Sequence, residues 1–158
     1  MRENGAAPEI DIRQLDAGDL SLFESLMSMF GEVFEEPETY TGKRPSADYV
    51  ERLLRNENFV ALAAVDNGAV IGGLTAYELP KFEQERSEMY IYDLAVVETH
   101  RRMGVATALI DRVKAIGKER GAWVVFVQAD QGDTPPIELY SKLGVREDVH
   151  HFDIPIDE

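Results

Sequence analysis

The chain predicts an α/β (α+β) fold, a mixed and mostly antiparallel sheet with helices on both faces. Three observations carry that expectation. The hydrophobic period switches from helical spacing to strand spacing near Phe59, and returns to helical spacing after Arg101. Asp66-Asn67-Gly68 stands between two apolar runs, one of the strongest short signals for an antiparallel hairpin. An amphipathic pattern then separates the apolar run ending at Val96 from the one beginning at Trp123, as in a strand–helix–strand crossover.

Element by element, Ile10 to Leu15 alternates as a first strand would. From about Asp19 to Phe34, Leu22, Leu26, Met29, Phe30 and Val33 recur at spacings of three and four and define a helix, closed by Pro37. Ser46 is an N-cap candidate for a second helix with Tyr49, Val50, Leu53 and Leu54 on its buried side. Phe59–Val65 and Ala69–Tyr77 are the hairpin strands. Leu79–Arg86 is a charged loop, and a fourth strand begins near Glu88. The helix after Arg101 buries Val105, Leu109, Val113 and Ile116 and ends at Gly121 as its C′ residue. Trp123–Ala129 is apolar on both faces and reads as an interior strand. A short helix over residues 135–143 stops at Gly144, and a last strand is expected within residues 149–154. The order is β-α-α-β-β-β-α-β-α-β.

Composition narrows the function. A chain of 158 residues is most simply one domain, expected over residues 10–158 behind a frayed tail of residues 1–9. The absence of cysteine removes disulfides, thiolate metal sites and a cysteine nucleophile together. No apolar run approaches the ~20 residues of a membrane span, and the N-terminus lacks a signal-peptide core, so a cytoplasmic protein is expected. A net charge of −14 without any basic cluster argues against a nucleic-acid partner. It favours cationic partners by long-range attraction, although acidic residues also serve solubility alone.

The stretch Tyr90 to Leu109 is the most specific in the chain. An apolar strand leads through a polar turn into Arg101-Arg102-Met103-Gly104-Val105-Ala106, which opens a helix. Such a helix start leaves backbone N–H groups unpaired and adds positive dipole charge, a seat for an anion such as a pyrophosphate. Gly104 removes the side chain where a ligand would approach the backbone. Ala106 keeps the next turn of the same face small.

This order and this turn resemble the GNAT superfamily of acyl-CoA-dependent N-acetyltransferases. Its coenzyme signature, Gln/Arg-x-x-Gly-x-Gly/Ala, is matched by Arg101-x-x-Gly104-x-Ala106, and its second signature by Glu138-Leu-Tyr-Ser-Lys-Leu-Gly144. Residues 90–96, Arg101-Arg102, Val127–Asp130, Leu139–Gly144 and His151–Ile154 closely resemble the type I aminoglycoside 3-N-acetyltransferases. The resemblance runs from about Ile10 to Ile154. It implies a GNAT fold with a sheet of six to seven strands and about four helices. It also implies acetyl transfer from acetyl-CoA to the 3-amino group of gentamicin-like antibiotics, antibiotic resistance, no metal, and a homodimer.

Carried over residue by residue, the resemblance places Leu94, Ala95 and Val96 along the coenzyme's pantetheine arm. A backbone N–H near Leu94 or Ala95 would polarise the thioester carbonyl. Arg101, Arg102, Met103, Gly104, Val105, Ala106 and Thr107 would hold the phosphates, with arginine forks suited to phosphate oxygens. Asp93 faces the acceptor amine and Tyr140 the coenzyme sulfur, as base and acid respectively. The superfamily often places a glutamate just before Asp93. Here that residue is Tyr92, which leaves the base open between Asp93, another carboxylate and a water. Tyr92, Glu83, Glu88, Asp130 and Asp153 are the expected contacts to a cationic aminoglycoside, individually also readable as surface residues.

His100, His150 and His151 show no metal-ligand spacing or nucleophile triad in the sequence. The missing cysteine disfavours the most obvious acyl-enzyme route and leaves direct transfer in a ternary complex. Two alternatives stand beside this: a GNAT enzyme for a polyamine or peptide amine, and an acetyl-CoA-binding regulatory module without turnover.

Overall fold

The structure, a computed structural model, describes residues 10–157, so the expected tail over residues 1–9 lies outside the described residues. The chain divides into two compact units, Met1–Phe126 and Val127–Glu158. In the first, β1 (Asp11–Gln14) is followed by helices α1 (Leu20–Val33), α2 (Pro37–Thr41) and α3 (Ala47–Arg55). Strands β2 (Phe59–Asp66), β3 (Ala69–Pro80) and β4 (Ser87–Val96) and helix α4 (Val105–Arg120) follow, and strand β5 (Ala122–Val127) closes the unit at Phe126.

The five strands form one sheet in the order β1-β2-β3-β4-β5, antiparallel from β1 to β4. Strand β5 runs in the direction of β4. The Ser87 N–H donates to the Gly121 carbonyl at 3.4 Å, and further along both strands Tyr90 stacks on Phe126 with centroids 4.6 Å apart. The sheet is therefore mixed, as a strand–helix–strand crossover requires. The hairpin turn is of the type expected, with φ of 49° at Asn67 and 78° at Gly68.

Strand alternation divides the sheet into two faces. Phe59, Ala61, Ala63 and Val65 of β2 and Ala95 of β4 share one core cluster with Phe23, Leu26, Met29 and Phe30 of α1 and Val50 of α3. Helix α1 lies so close to β3 that a Cβ at Gly73 would overlap Leu26 Cδ1. Helix α4 covers the opposite face, where Val105 lies against Gly72 and Met89 against Gly117.

Several expectations are corrected. Pro37 does not simply close α1. The chain reverses through Glu35 at φ 55°, and Pro37 starts α2, a helical turn for which its fixed φ is suited. Ser46 caps α3 by accepting from the Tyr49 N–H at 3.2 Å, yet Tyr49 itself points outward rather than into the core. Helix α4 starts at Val105, four residues after Arg101, because left-handed Arg102 and Gly104 cannot extend a right-handed helix. Strand β5 forms the edge of the sheet among the described residues, not its interior, and exposes Trp123.

The second unit contains α5 (Thr134–Leu143), close to the expected helix, with Pro135 and Pro136 in its first turn. The strand expected within residues 149–154 is absent. Residues 144–157 have no regular structure, and Val149, Phe152, Ile154 and Ile156 are exposed. A strand is defined by a hydrogen-bonded neighbour, and no described strand pairs with this segment. The sheet thus has five strands and the described residues five α-helices, against six to seven and about four expected.

Candidate active site

The site is built on β4 and the turn that follows it. After Val96, a 3₁₀ turn over Glu98–His100 leads into residues 101–104, and α4 begins without a side-chain cap. Arg102 (φ 62°) and Gly104 (φ 79°) both occupy the left-handed region, which curls the backbone before the helix. The N–H groups of Val105, Ala106 and Thr107 open α4, where no intrahelical acceptor exists. A Cβ placed on Gly104 would meet nothing within 4 Å, so the space above the turn is open. Val105 turns its side chain into the core and can offer a ligand only its N–H. Arg101 donates from Nε to the Val96 carbonyl at 3.2 Å and ties the turn to the strand end, while Arg102 and Met103 are exposed.

Strand β4 carries a bulge at its centre. Asp93 pairs with Thr75, but Ile91 pairs with Ala76, so Tyr92 is an extra residue without a partner on β3. In an unbroken strand Tyr92 and Asp93 would point to opposite faces. Here Tyr92 packs edge-on against both Tyr77 and Tyr90, each at 5.8 Å between centroids. By register, Glu88, Tyr90, Asp93 and Ala95 lie on the face of Phe59 and Tyr77, the side covered by α1 and α3.

Asp93 is half-buried on this face, and its Oδ2 accepts from the Tyr40 hydroxyl of α2 at 3.0 Å. Burial pushes its carboxyl above the ordinary range, the Tyr40 hydrogen bond opposes that, and nearby Glu36 adds to the rise. Burial, the Asp93 charge and the hydrogen bond to it all raise the Tyr40 phenol, which therefore stays a donor. Tyr77 and Tyr90 are raised as well, first by burial and then by their neighbours, Tyr92 and Asp93 among them. A half-buried carboxylate among phenol rings suits an ammonium group, which gains both the charge and the ring faces.

Ser87 and Tyr90 of β4 contact the β5 side at Gly121 and Phe126. Leu94, Ala95 and Val96 pair on their other side with Leu74, Gly73 and Gly72. The Ala95 side chain is buried in the core, so a ligand would meet these residues through their backbone.

The remaining expected residues separate. Glu83 and Glu88 share the Lys81 ammonium, at 3.4 and 3.5 Å, and the exposed Glu83 carboxyl is held low by its own backbone N–H and by Lys81. Ion pairs of this kind contribute little stability and can exchange for a cationic ligand. Asp130, Asp153 and Tyr140 belong to the second unit. Asp130 is exposed in the turn before α5, and its carbonyl accepts from the Asp133 N–H at 3.2 Å. Asp153 pairs with His151 at 2.8 Å in the segment that forms no strand. Tyr140 lies on α5, and burial and then Asp133 push its phenol up.

His100 has a structural part among the described residues. It bridges Asp66 Oδ2 (2.8 Å) and Thr99 Oγ1 (2.9 Å), which fastens the turn after β4 to the hairpin between β2 and β3. Among the described residues no group of three or more His, Cys, Asp or Glu could hold a metal. No described helix is long and apolar enough to cross a membrane. Sequence reasoning missed Tyr40 and left Tyr77 and Tyr90 without a role. Five of the chain's six tyrosines precede Asp93, a hint in composition, but nothing local links Tyr40 to a residue 53 positions later.

An uncapped helix start after a strand end, with a half-buried carboxylate on the same strand, is thus the chemistry the structure offers here. The acetyltransferase (GNAT) family model matches residues 20–145, and the chain belongs to that family. It is an N-acetyltransferase by family, and its solved neighbours include aminoglycoside acetyltransferases. One, HMB0005 from an uncultured soil metagenomic sample, is 57% identical with TM-score 0.93, covering 94% of this chain and 99% of that one. Another, meta-AAC0020 from a soil metagenomic sample in complex with sisomicin, is 31% identical with TM-score 0.86, covering 94% and 97%. An N-alpha-acetyltransferase of Sulfurisphaera tokodaii is 32% identical over 122 residues, 70% of this chain and 68% of that protein.

Proposed function

We propose that the protein acetylates the 3-amino group of gentamicin-class aminoglycosides with acetyl-CoA, by direct transfer with both substrates bound. The observation that carries this reading is Asp93: a half-buried, tyrosine-flanked carboxylate immediately before the Leu94–Val96 strand end and its anion seat. The likeness to HMB0005 and to the sisomicin complex supports the substrate class. The net charge of −14 suits encounter with a polycation.

The N–H groups of residues 105–107 and the Arg102 guanidinium would hold the coenzyme's phosphates, and the open space over Gly104 fits their close approach. Acetyl-CoA supplies the activated acetyl group when bound. Asp93 holds the acceptor amine and takes its proton at a carboxylate oxygen, directly or through water. Its elevated pKa brings it closer to the proton affinity of the amine it must accept from. A backbone N–H near Leu94 or Ala95 would polarise the reacting carbonyl, and the family resemblance assigns the proton for the departing thiolate to the Tyr140 phenol. The elevated Tyr140 pKa keeps that phenol protonated.

The test is thiol release from acetyl-CoA with gentamicin, sisomicin, kanamycin and spermidine in parallel, followed by NMR of the product to locate the new amide. Turnover of gentamicin with acetylation at the 3-amino nitrogen is expected, together with raised resistance in cells expressing the chain. No release with any aminoglycoside refutes the substrate class, and acetylation at another nitrogen refutes the regiochemistry. The likeness to an N-alpha-acetyltransferase favours a second reading, a peptide α-amine as acceptor. An N-terminal peptide in the same assay separates the two.

A further inference from the structure

We infer that Tyr40 is a positioning residue for Asp93: its hydroxyl fixes Oδ2 and leaves Oδ1 to the acceptor amine. The inference rests on the role proposed for Asp93 above. Three observations lead to it. Tyr40 donates to Asp93 Oδ2 at 3.0 Å across 53 residues of chain, so the bond exists only because the fold brings α2 onto the face of β4. The Tyr40 ring is held independently of that bond, tilted against Phe30 and Phe34 with centroids 5.8 Å from each. Helix α2 is itself tied to α1, where the Glu36 N–H donates to the Gly31 carbonyl at 2.9 Å. The hydroxyl is thus presented by a packed ring and does not find Asp93 by chance rotation.

The chemistry follows from the neighbours of Asp93. The Asp93 charge is felt by Tyr77 of β3 and Tyr90 of β4, whose rings Tyr92 joins edge-on, and Glu36 adds a like charge from the residue before α2. Burial and Glu36 favour the neutral acid, which can neither anchor an ammonium group nor accept a proton. The Tyr40 hydroxyl is the opposing influence. A carboxylate with one oxygen fixed also has one defined direction left for its second oxygen. That direction orients an amine beside the Leu94–Val96 strand end.

Tyr40→Phe keeps the packed ring and removes the hydroxyl. The Asp93 pKa is read by ¹³C-carboxyl NMR titration of the protein without substrates, with its resonance assigned by its loss in Asp93→Asn. In Tyr40→Phe it should rise by about one to two pH units. The acidic limb of kcat/KM for sisomicin should move to higher pH by the same interval, with the thermal midpoint of the variant recorded beside it. An unchanged Asp93 titration overturns the inference. A uniform loss of activity at every pH without movement of the limb overturns it too, because a merely structural tyrosine would act that way. Failure of the substrate proposal looks different: the wild-type protein turns over no aminoglycoside, while the NMR titration still decides whether Tyr40 governs Asp93.

Discussion

Gly104→Ala separates the coenzyme role of the turn from its structural role, because the fold supplies a matched control. Gly104 and Gly121 flank the same helix, both in the left-handed region at φ 79° and 81°, and a Cβ on either meets nothing within 4 Å. An alanine there is strained by about 1–2 kcal/mol from backbone conformation alone. At about 2–4 °C per kcal/mol for a domain of this size, each variant should melt roughly 2–8 °C lower. Only Gly104 stands at the α4 N-terminus, where the new methyl group would occupy the space a pyrophosphate needs. Losing one N–H bond to a charged oxygen is worth about 1.5–3 kcal/mol, so CoA affinity should fall roughly ten- to a hundredfold. Isothermal titration of CoA into both variants, alongside thermal unfolding, reads the two effects separately. Equal stability losses with a CoA defect confined to Gly104→Ala are expected. If Gly104→Ala binds CoA like the wild type, the anion seat is misassigned.

Three further outcomes follow from the same geometry. Asp93→Asn should bind CoA normally while turnover falls about 10²–10⁴-fold; loss of CoA binding would mark Asp93 as structural. The same variant should be more stable than the wild type at neutral pH. Burial holds the folded-state carboxyl above its unfolded value, so the native state binds the extra proton and stability falls as pH rises through that window. The advantage of Asn should disappear below about pH 3.9, the unfolded value, and thermal midpoints against pH that show no such convergence would refute the desolvation account. Gly73→Ala should destabilise by about 1–3 kcal/mol, because its methyl group overlaps Leu26, and Leu26→Ala by about 2–5 kcal/mol. Combined, they should lose clearly less than the sum in urea unfolding, since each relieves the other. Strict additivity would contradict the contact.

The fold was legible where the chain's periods are strong. The Asn67-Gly68 hairpin, the amphipathic faces of α1 and α4, and the Ser46 cap each follow from local chemistry. Helix α2 was not, because residues 37–41 have no apolar period and are helical chiefly through Pro37 and the packing of Tyr40 on α1. Residues 149–154 show the converse: a β-like composition specifies no strand without a partner strand. The uncapped helix start after β4 could be located because it is a local motif. The place of Asp93 just before the strand end could be located from the apolar run around it. Its partner could not, because hydrogen bonding across three elements leaves no trace in spacing.

The bulge at Tyr92 lets one strand carry both halves of the proposed site. An unbroken β4 would use alternate residues for the two faces and could give the acceptor side either Tyr92 or Asp93, not both. Inserting Tyr92 without a partner lets it join Tyr77 and Tyr90 while Asp93, paired with Thr75, still faces α2. The register then resumes, so Ala95 fills the core under α1 and the strand delivers its end to the turn before α4. One extra residue thus sets an aromatic cluster and a half-buried carboxylate just before the strand end, where the proposed function seats acceptor and coenzyme. The departure from the superfamily's glutamate before Asp93 fits this account. A tyrosine at the bulge adds a third ring beside Tyr77 and Tyr90, and Asp93 is the half-buried carboxylate next to it, bonded by the Tyr40 hydroxyl.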